Sequence, residues 1–221
     1  DCLRIATAGD PGDHGAGGKM GSNIFEQWIK SRSSTPVANL KDQELTQAVL
    51  DKADVLVTLD VALVGDQSPH HSYSTAEAAS LKAWVERGGG LMTTIGYKND
   101  EASEVGNVNR LLASFGMGYS TTSFGIDGFV KNWSAHPVTD RVKAVQIING
   151  VEVEGSNGTV LAFDSMIRPA LRVAPAGTGH VVAWADEWIT YDDLWKDVTT
   201  QEVERFWLNI IKWITPQNRC Q

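Results

Sequence analysis

Four carboxylates in this 221-residue chain follow apolar runs of strand length: Asp10 after LRIATA (3–8), Asp60 closing DVLVTLD (54–60), and Asp186 with Glu187 after HVVAWA. Strand ends of a parallel sheet converge on one edge, where carboxylates can trade protons with a substrate or hold a hard cation. Tyr97 and Asn99 follow a further run, LMTTI (91–95), and His136 is available to assist in acid–base work. The catalytic candidates are therefore Asp10, Asp60, Tyr97, His136, Asp186 and Glu187. The ligand-binding candidates are Asp10, Asp60, Tyr97, Asn99, Trp133, Glu187 and Trp188. Trp133, Trp188, Tyr191 and Trp195 fall in expected loops, where aromatic rings stack on sugars, anchor a protein partner or pack over a strand end.

Other motifs carry less. The loop GDPGDHGAGGKMGS (9–22) lies between the first strand and the first helix, the place used by phosphate-cradling loops. Its Gly12 and Gly18-Lys19 are one residue too far apart for a Walker loop, Met20 replaces the magnesium-binding hydroxyl, and Asp10 and Asp13 oppose phosphate. It reads as a crossover loop near the site. His70 and His71 are expected to point apart in a surface loop, with no third metal ligand at a helpful spacing. The series Asp186, Glu187, Asp192, Asp193 and Asp197 lacks the calcium-loop pattern and reads as solvated charge, although it leaves a divalent cation open. No other cofactor is implied.

The elements that must position these residues alternate between strand-length apolar runs and helical periods, the pattern of a parallel sheet covered on both faces. Asn23 and Glu26 have capping-box spacing ahead of Phe25, Trp28 and Ile29 on one helix face. A short strand near Val37 precedes a helix carrying Leu45, Ala48 and Val49, and residues 54–60 read as a central strand. Ser74 and Glu77 repeat the capping spacing before Leu81, Trp84 and Val85, and Gly88 ends that helix in a left-handed conformation. A helix over about 101–115 stops at Gly116. Residues 117–178 then lose the helical period, with VEVEG and TVLAFD expected to form a hairpin around Ser156-Asn157-Gly158. After the strand at 179–186, Thr199 and Glu202 are expected to cap a last helix with Val203, Phe206, Trp207, Ile210, Ile211 and Ile214 on its apolar face. The fold class is α/β, and with no repeat or linker the chain, 1–221, reads as a single domain.

The net charge of −8, from 27 acidic and 19 basic residues without a basic patch, argues against nucleic acid and anionic membrane surfaces. No apolar run reaches the ~20 residues that cross a bilayer. The two cysteines, Cys2 and Cys220, stand at the extremities. A disulfide between them would close a long loop, contribute about 4 kcal/mol and place the chain in a secreted or periplasmic setting. Asn132-Trp133-Ser134 and Asn157-Gly158-Thr159 fit the glycosylation triplet but match at the chance rate.

The combination of AWVERGGGLMTTIGY, AHPVTDRV and GTGHVVAWADEWITYDDLW before a terminal helix resembles the class I glutamine amidotransferase-like superfamily, specifically its trehalose-utilisation (ThuA)-like branch. The resemblance implies a flavodoxin-like three-layer sandwich, a mainly parallel sheet with antiparallel additions in 117–178, and a functional edge after Ala8, Asp60, Ile95 and Ala185. It also implies that Tyr97 stands where catalytic relatives carry a cysteine nucleophile, so cysteine-based glutamine hydrolysis is not expected. His136-Pro137 resembles the branch's non-catalytic turn. Two readings follow: a recognition module for carbohydrate or a protein partner, and a hydrolase using Asp10, Asp60, Asp186 or Glu187 with assistance from Tyr97 and His136.

Overall fold

The computed structural model describes residues 3–9, 21–63, 70–96, 104–124 and 128–216. Its first half contains β1 (Ile5–Ala8), α1 (Asn23–Arg32), β2 (Ala38–Asn39), α2 (Gln47–Leu50), β3 (Val55–Thr58), α3 (Thr75–Glu86), β4 (Gly90–Thr93) and α4 (Glu104–Leu112). Short strands follow: β5 (Met117–Ser123), β6 (Gly128–Val130), β7 (Asn132–Trp133), β8 (Val145–Ile147), β9 (Val151–Gly155), β10 (Thr159–Phe163) and β11 (Pro169–Ala176). The chain returns through β12 (Gly179–Trp184), α5 (Asp192–Lys196) and α6 (Val203–Ile214).

Eight strands form one sheet in the order β2-β1-β3-β4-β12-β11-β10-β7. The first five are parallel, and β11, β10 and β7 continue the sheet antiparallel. This is a flavodoxin-like sandwich with the antiparallel additions confined to the 117–178 region. Every residue of β1, β3 and β4 is buried, because helices cover both faces of the parallel part. On one side α1 meets α5 and α5 meets α6; on the other α3 touches both α2 and α4.

The last helix shows how the sequence period becomes packing. Val203, Phe206, Trp207, Ile210, Ile211 and Ile214 are all buried, and α6 lies against β4 and β12. Trp207 sits 4.8 Å from the ring of Phe25 in α1 and donates its indole N–H to the Ile189 carbonyl at 2.9 Å. Trp195 donates to the same carbonyl, so two large side chains are buried with their single polar atoms satisfied.

Helix capping differs from the sequence pattern at two of three places. Ser74 and Glu77 form the full capping box, and Gly88 and Gly116 take φ of 115° and 68° as their helix-end roles require. Asn23, however, is already helical, and the side chain of Ser22 does not cap the helix; Ile24 N–H is instead satisfied by Asp192 Oδ1 at 2.8 Å, 168 residues away. Glu202 likewise does not pair with Thr199. Its Oε2 accepts the N–H groups of Lys143 and Ala144, both at 2.9 Å, and the start of α6 lacks a side-chain cap.

The expected hairpin is corrected too. The chain turns tightly at 156–158, with Gly158 at φ 80°, but β9 and β10 do not pair with each other. β9 pairs antiparallel with β5, and β10 with β11. The Gly116 carbonyl accepts the N–H of both Ser156 and Asn157, and Asn157 Nδ2 donates to Phe115 O, so the turn is fastened to the 3-10 turn that follows α4 and hands the chain from one sheet to another.

Ile210→Ala is expected to destabilise the protein by about 2–5 kcal/mol through a cavity at a fully buried site, measured by urea unfolding with an unchanged m-value.

Candidate functional site

Sheet order reverses between β1 and β3, which places a crevice beyond their carboxyl ends. Gly9 leaves β1 with φ 90° and runs against Asp60: a Cβ at position 9 would lie 2.1 Å from the Asp60 carbonyl oxygen. The side chain of Asp60 turns back on its own loop, Oδ1 accepting Ala62 N–H at 2.9 Å. Asp10, Tyr97 and Asn99 lie outside the described residues, as do Cys2, Cys220 and residues 10–20 of the glycine-rich loop.

At the end of β4 the backbone is packed against carboxylates. Gly96 N–H donates to Glu104 Oε2 at 3.0 Å, and Glu187 N–H donates to the Ile95 carbonyl at 2.8 Å. A Cβ at Gly96 would stand 2.8 Å from Glu104 Oε2 and 2.9 Å from Glu187 Oε1, so the two carboxyl groups converge on one point. Glu104 is 1% and Glu187 4% exposed. Tyr191 donates its hydroxyl to Glu187 Oε1 at 3.1 Å. Burial first, then Glu187, Asp186 and Asp60, push the Tyr191 phenol well above its ordinary range, so it stays a proton donor. Of the predicted carboxylates Glu187 touches Tyr191, and Asp186 and Asp60 act on it through charge at longer range. Glu104 borders Gly96 beside Glu187 but opens a helix, where an acidic residue in the first turn is commonplace; its position on the first turn was its only signal in sequence.

The carboxylates after β12 are engaged by backbone. Asp186 is fully buried, with Oδ1 accepting Trp188 N–H at 3.0 Å and Oδ2 accepting Ile148 N–H, which caps the short helix at 187–190 and ties the end of β8 to the sheet. Asp192 serves α1, and Asp197 accepts the hydroxyls of Thr199 and Thr200. Asp186, Asp192 and Asp197 thus serve separate tasks, and no group of three or more side chains that could hold a metal ion occurs among the described residues.

His136 is away from this edge. Its Nδ1 accepts Val138 N–H at 3.2 Å, and its ring meets Trp213, which in turn lies 4.2 Å from His180 at the amino end of β12. Burial, then the neighbouring His180, lowers its pKa, so His136 is neutral at pH 7. Among the loop aromatics, Trp195 is buried in the core, whereas Trp133 and Trp188 are half-buried. Trp133 stacks on Trp184 with its N–H on the Lys143 carbonyl, and Trp188 meets Tyr191 edge-on.

His70 and His71 do not point apart. Their rings stack at 4.6 Å, His70 is buried, and His71 contacts Glu77. Neighbouring imidazoles can share a face when each finds its own acceptors, and here Asn107 holds the loop by donating to the carbonyls of Val61 and His71.

No family model matches the chain, and no curated protein matches it in sequence. Solved structures do. The N-terminal domain of mmIFT52 superposes with a TM-score of 0.70 at 16% identity, covering 97% of this chain and 98% of that one. The cytoplasmic protein STM1381 from Salmonella typhimurium LT2 also gives 0.70 at 16% identity, over 96% and 100%. A putative ThuA-like protein from Bacteroides uniformis gives 0.58 at 12%, over 96% and 91%. The chain also matches 31% of the length of Gan42B, a GH42 β-galactosidase, with a TM-score of 0.57 at 12% identity. At 12–16% identity these likenesses show a shared fold, an α/β sandwich with a parallel core and antiparallel strands at one end of the sheet.

Asp186→Ala would leave two partly buried N–H groups without their acceptor and is expected to cost about 2–4 kcal/mol, read as a lower urea midpoint.

Proposed function

We propose that this chain is a recognition module for a protein partner, and that it docks through the tip of the β10–β11 hairpin. The observation that carries this reading is Ile167: a β-branched residue at φ 63°, 75% exposed, next to Met166 at 65%. A left-handed β-branched residue is strained by about 1–2 kcal/mol, and a bulky apolar side chain in water adds nothing to the fold. The turn is nevertheless braced. Asp164 Oδ1 accepts the N–H of Met166 at 2.9 Å and of Arg168 at 2.8 Å, while Arg168 Nε donates to Asp164 Oδ2 at 2.8 Å. The Arg168 guanidinium lies over Phe124 at 4.6 Å. A cavity of about 160 Å³ beside the tip, lined by Phe124, Phe129, Val130, Ile147 and Met166, has room for an aliphatic anchor side chain.

β10 ends and β11 begins at the carboxyl end of β12, so this face continues the edge where Glu104 and Glu187 meet Gly96. A protein ligand is favoured over carbohydrate because Trp195 is committed to the core and Trp133 spends its N–H on the backbone. The mmIFT52 domain, matched along almost its whole length, agrees with a fold that serves as a domain rather than a complete enzyme. The secreted or periplasmic setting belongs to the proposal as well: thiol titration of the denatured, unreduced chain would then find neither cysteine reactive.

A second reading rests on the convergence of Glu104 and Glu187 at Gly96. Both carboxyl groups are buried and border the same point at the end of β4, and paired carboxyl groups at a strand end are the arrangement acid–base enzymes use. In that case a hydrolase panel would show an activity that Glu187→Gln and Glu104→Gln remove without loss of fold.

The test of the first reading places a photo-crosslinker at position 167 and, as a control, at the equally exposed Val198. A single protein adduct from 167 alone, competed by unlabelled chain but not by Ile167→Asp, is expected. Saturable glycan-array binding lost in Trp133→Ala or Trp188→Ala would sink it. Ile167→Gly should raise stability by about 1 kcal/mol while weakening capture, which separates the strain from the fold.

A further inference from the structure

The His71 ring sits between two groups that can only accept hydrogen bonds. Nε2 is 2.7 Å from Glu77 Oε1, and Nδ1 is 3.0 Å from the Lys41 carbonyl oxygen. A neutral imidazole carries one N–H, so both contacts are hydrogen bonds only in the imidazolium. Glu77 cannot take over as donor, because its carboxylate is already surrounded. Oε2 accepts the Ser74 N–H at 2.8 Å and its hydroxyl at 3.0 Å, and Oε1 also accepts Leu45 N–H at 3.1 Å.

These partners belong to different parts of the chain. Lys41 and Leu45 lie in the segment after β2, His71 in the connection after β3, and Glu77 in the first turn of α3. Both connections leave the carboxyl edge of the parallel sheet. We propose that His71, Glu77 and the Lys41 carbonyl form a pH-sensitive clasp, which closes the segment after β2 onto the start of α3 while His71 is protonated and loosens when the ring gives up its proton.

The surrounding groups fit this assignment. His70, stacked on His71, has both nitrogens occupied, Nδ1 by the His71 carbonyl at 2.9 Å and Nε2 by the Tyr73 hydroxyl at 3.2 Å. Burial lowers its pKa, so it remains neutral and does not repel its neighbour near pH 7. Burial likewise holds the Tyr73 phenol protonated. Lys41 and Glu44 face the cluster from the segment after β2 with opposing charges. Arg110 of α4 is turned to Ser72 and Asn107.

Burial by itself would lower the His71 pKa, but its hydrogen bonds to Glu77 and the Lys41 carbonyl raise it above the ordinary 6.5. Burial would raise Glu77, but the Ser74 backbone, His71 and Leu45 bring it below 4.5. The His71 contribution is complete below 6.5 and is lost as pH rises through the raised folded value. The Glu77 contribution is complete above 4.5 and is lost as pH falls through the lowered one. The clasp is closed between those limits and opens as pH rises through the raised His71 value.

NMR titration of the histidine rings in the full chain, from pH 5 to 9, tests this directly, with amide exchange at Leu45 as the readout of segment docking. The expected His71 midpoint lies above 6.5, with both ring nitrogens protonated below it. Glu77→Gln should lower the midpoint by about one unit, a tenfold loss of proton affinity. Ser74→Ala, which weakens the cap but keeps the His71 contact, should leave the midpoint in place. The Leu45 protection factor should fall several-fold through the transition in the natural chain and stay level in His71→Gln. A midpoint at or below 6.5, an equal shift in Ser74→Ala, or constant Leu45 protection in the natural chain would overturn the clasp. If His71→Gln does not fold, the natural chain and the other two variants still decide.

Discussion

β1, β3 and β4 pair in parallel with helices on both faces, and this burial leaves almost no place along the strands for a polar side chain to meet water. Thr58 and Thr93 are among the few polar residues within them, and Thr93 is accompanied by the Tyr119 hydroxyl at 2.8 Å. Polar chemistry is thereby displaced to the strand ends. There the backbone is crowded enough that Gly9 must pass against Asp60, and Gly96 against two carboxyl groups. The carboxyl edge is the consequence of a dry interior.

The same constraint explains which parts of the molecule were legible in sequence. Strand-length apolar runs and the stripe from Val203 to Ile214 announced the parallel core and its covering helix, because burial on both faces is written into consecutive residues. The Ser74–Glu77 box was readable for a similar reason: its partners are three residues apart. Asn23–Glu26 and Thr199–Glu202 share that spacing, yet the first task fell to Asp192, and the Glu202 carboxylate is taken by the N–H groups of Lys143 and Ala144. A local motif cannot report a distant competitor. The turn at 156–158 misled in the same way, since its strands found partners elsewhere.

The candidate site was legible only as a set of strand ends. Glu187 meets Tyr191, but Asp60 turns onto Ala62, Asp186 spends both oxygens on backbone N–H groups, and His136 sits with Trp213 and His180 at the other end of the sheet. The Glu104–Gly96 and His71–Glu77 contacts had no sequence signature, because each depends on how two connections approach in space. Ile167 was equally silent. Positive φ at a β-branched residue is set by the bracing of Asp164 and Arg168 around it, not by the residue itself.

The bond between Ile24 and Asp192 has a bearing on how the protein is made. The first turn of α1 is completed by a residue synthesised 168 positions later, and β12 must slot between β4 and β11 before the sheet is continuous. A ribosome adding residues at ordinary speed needs roughly ten to thirty seconds for that interval. During it the amino-terminal βα units wait with an open strand edge, and a nascent chain in that state is the form for which chaperones would compete.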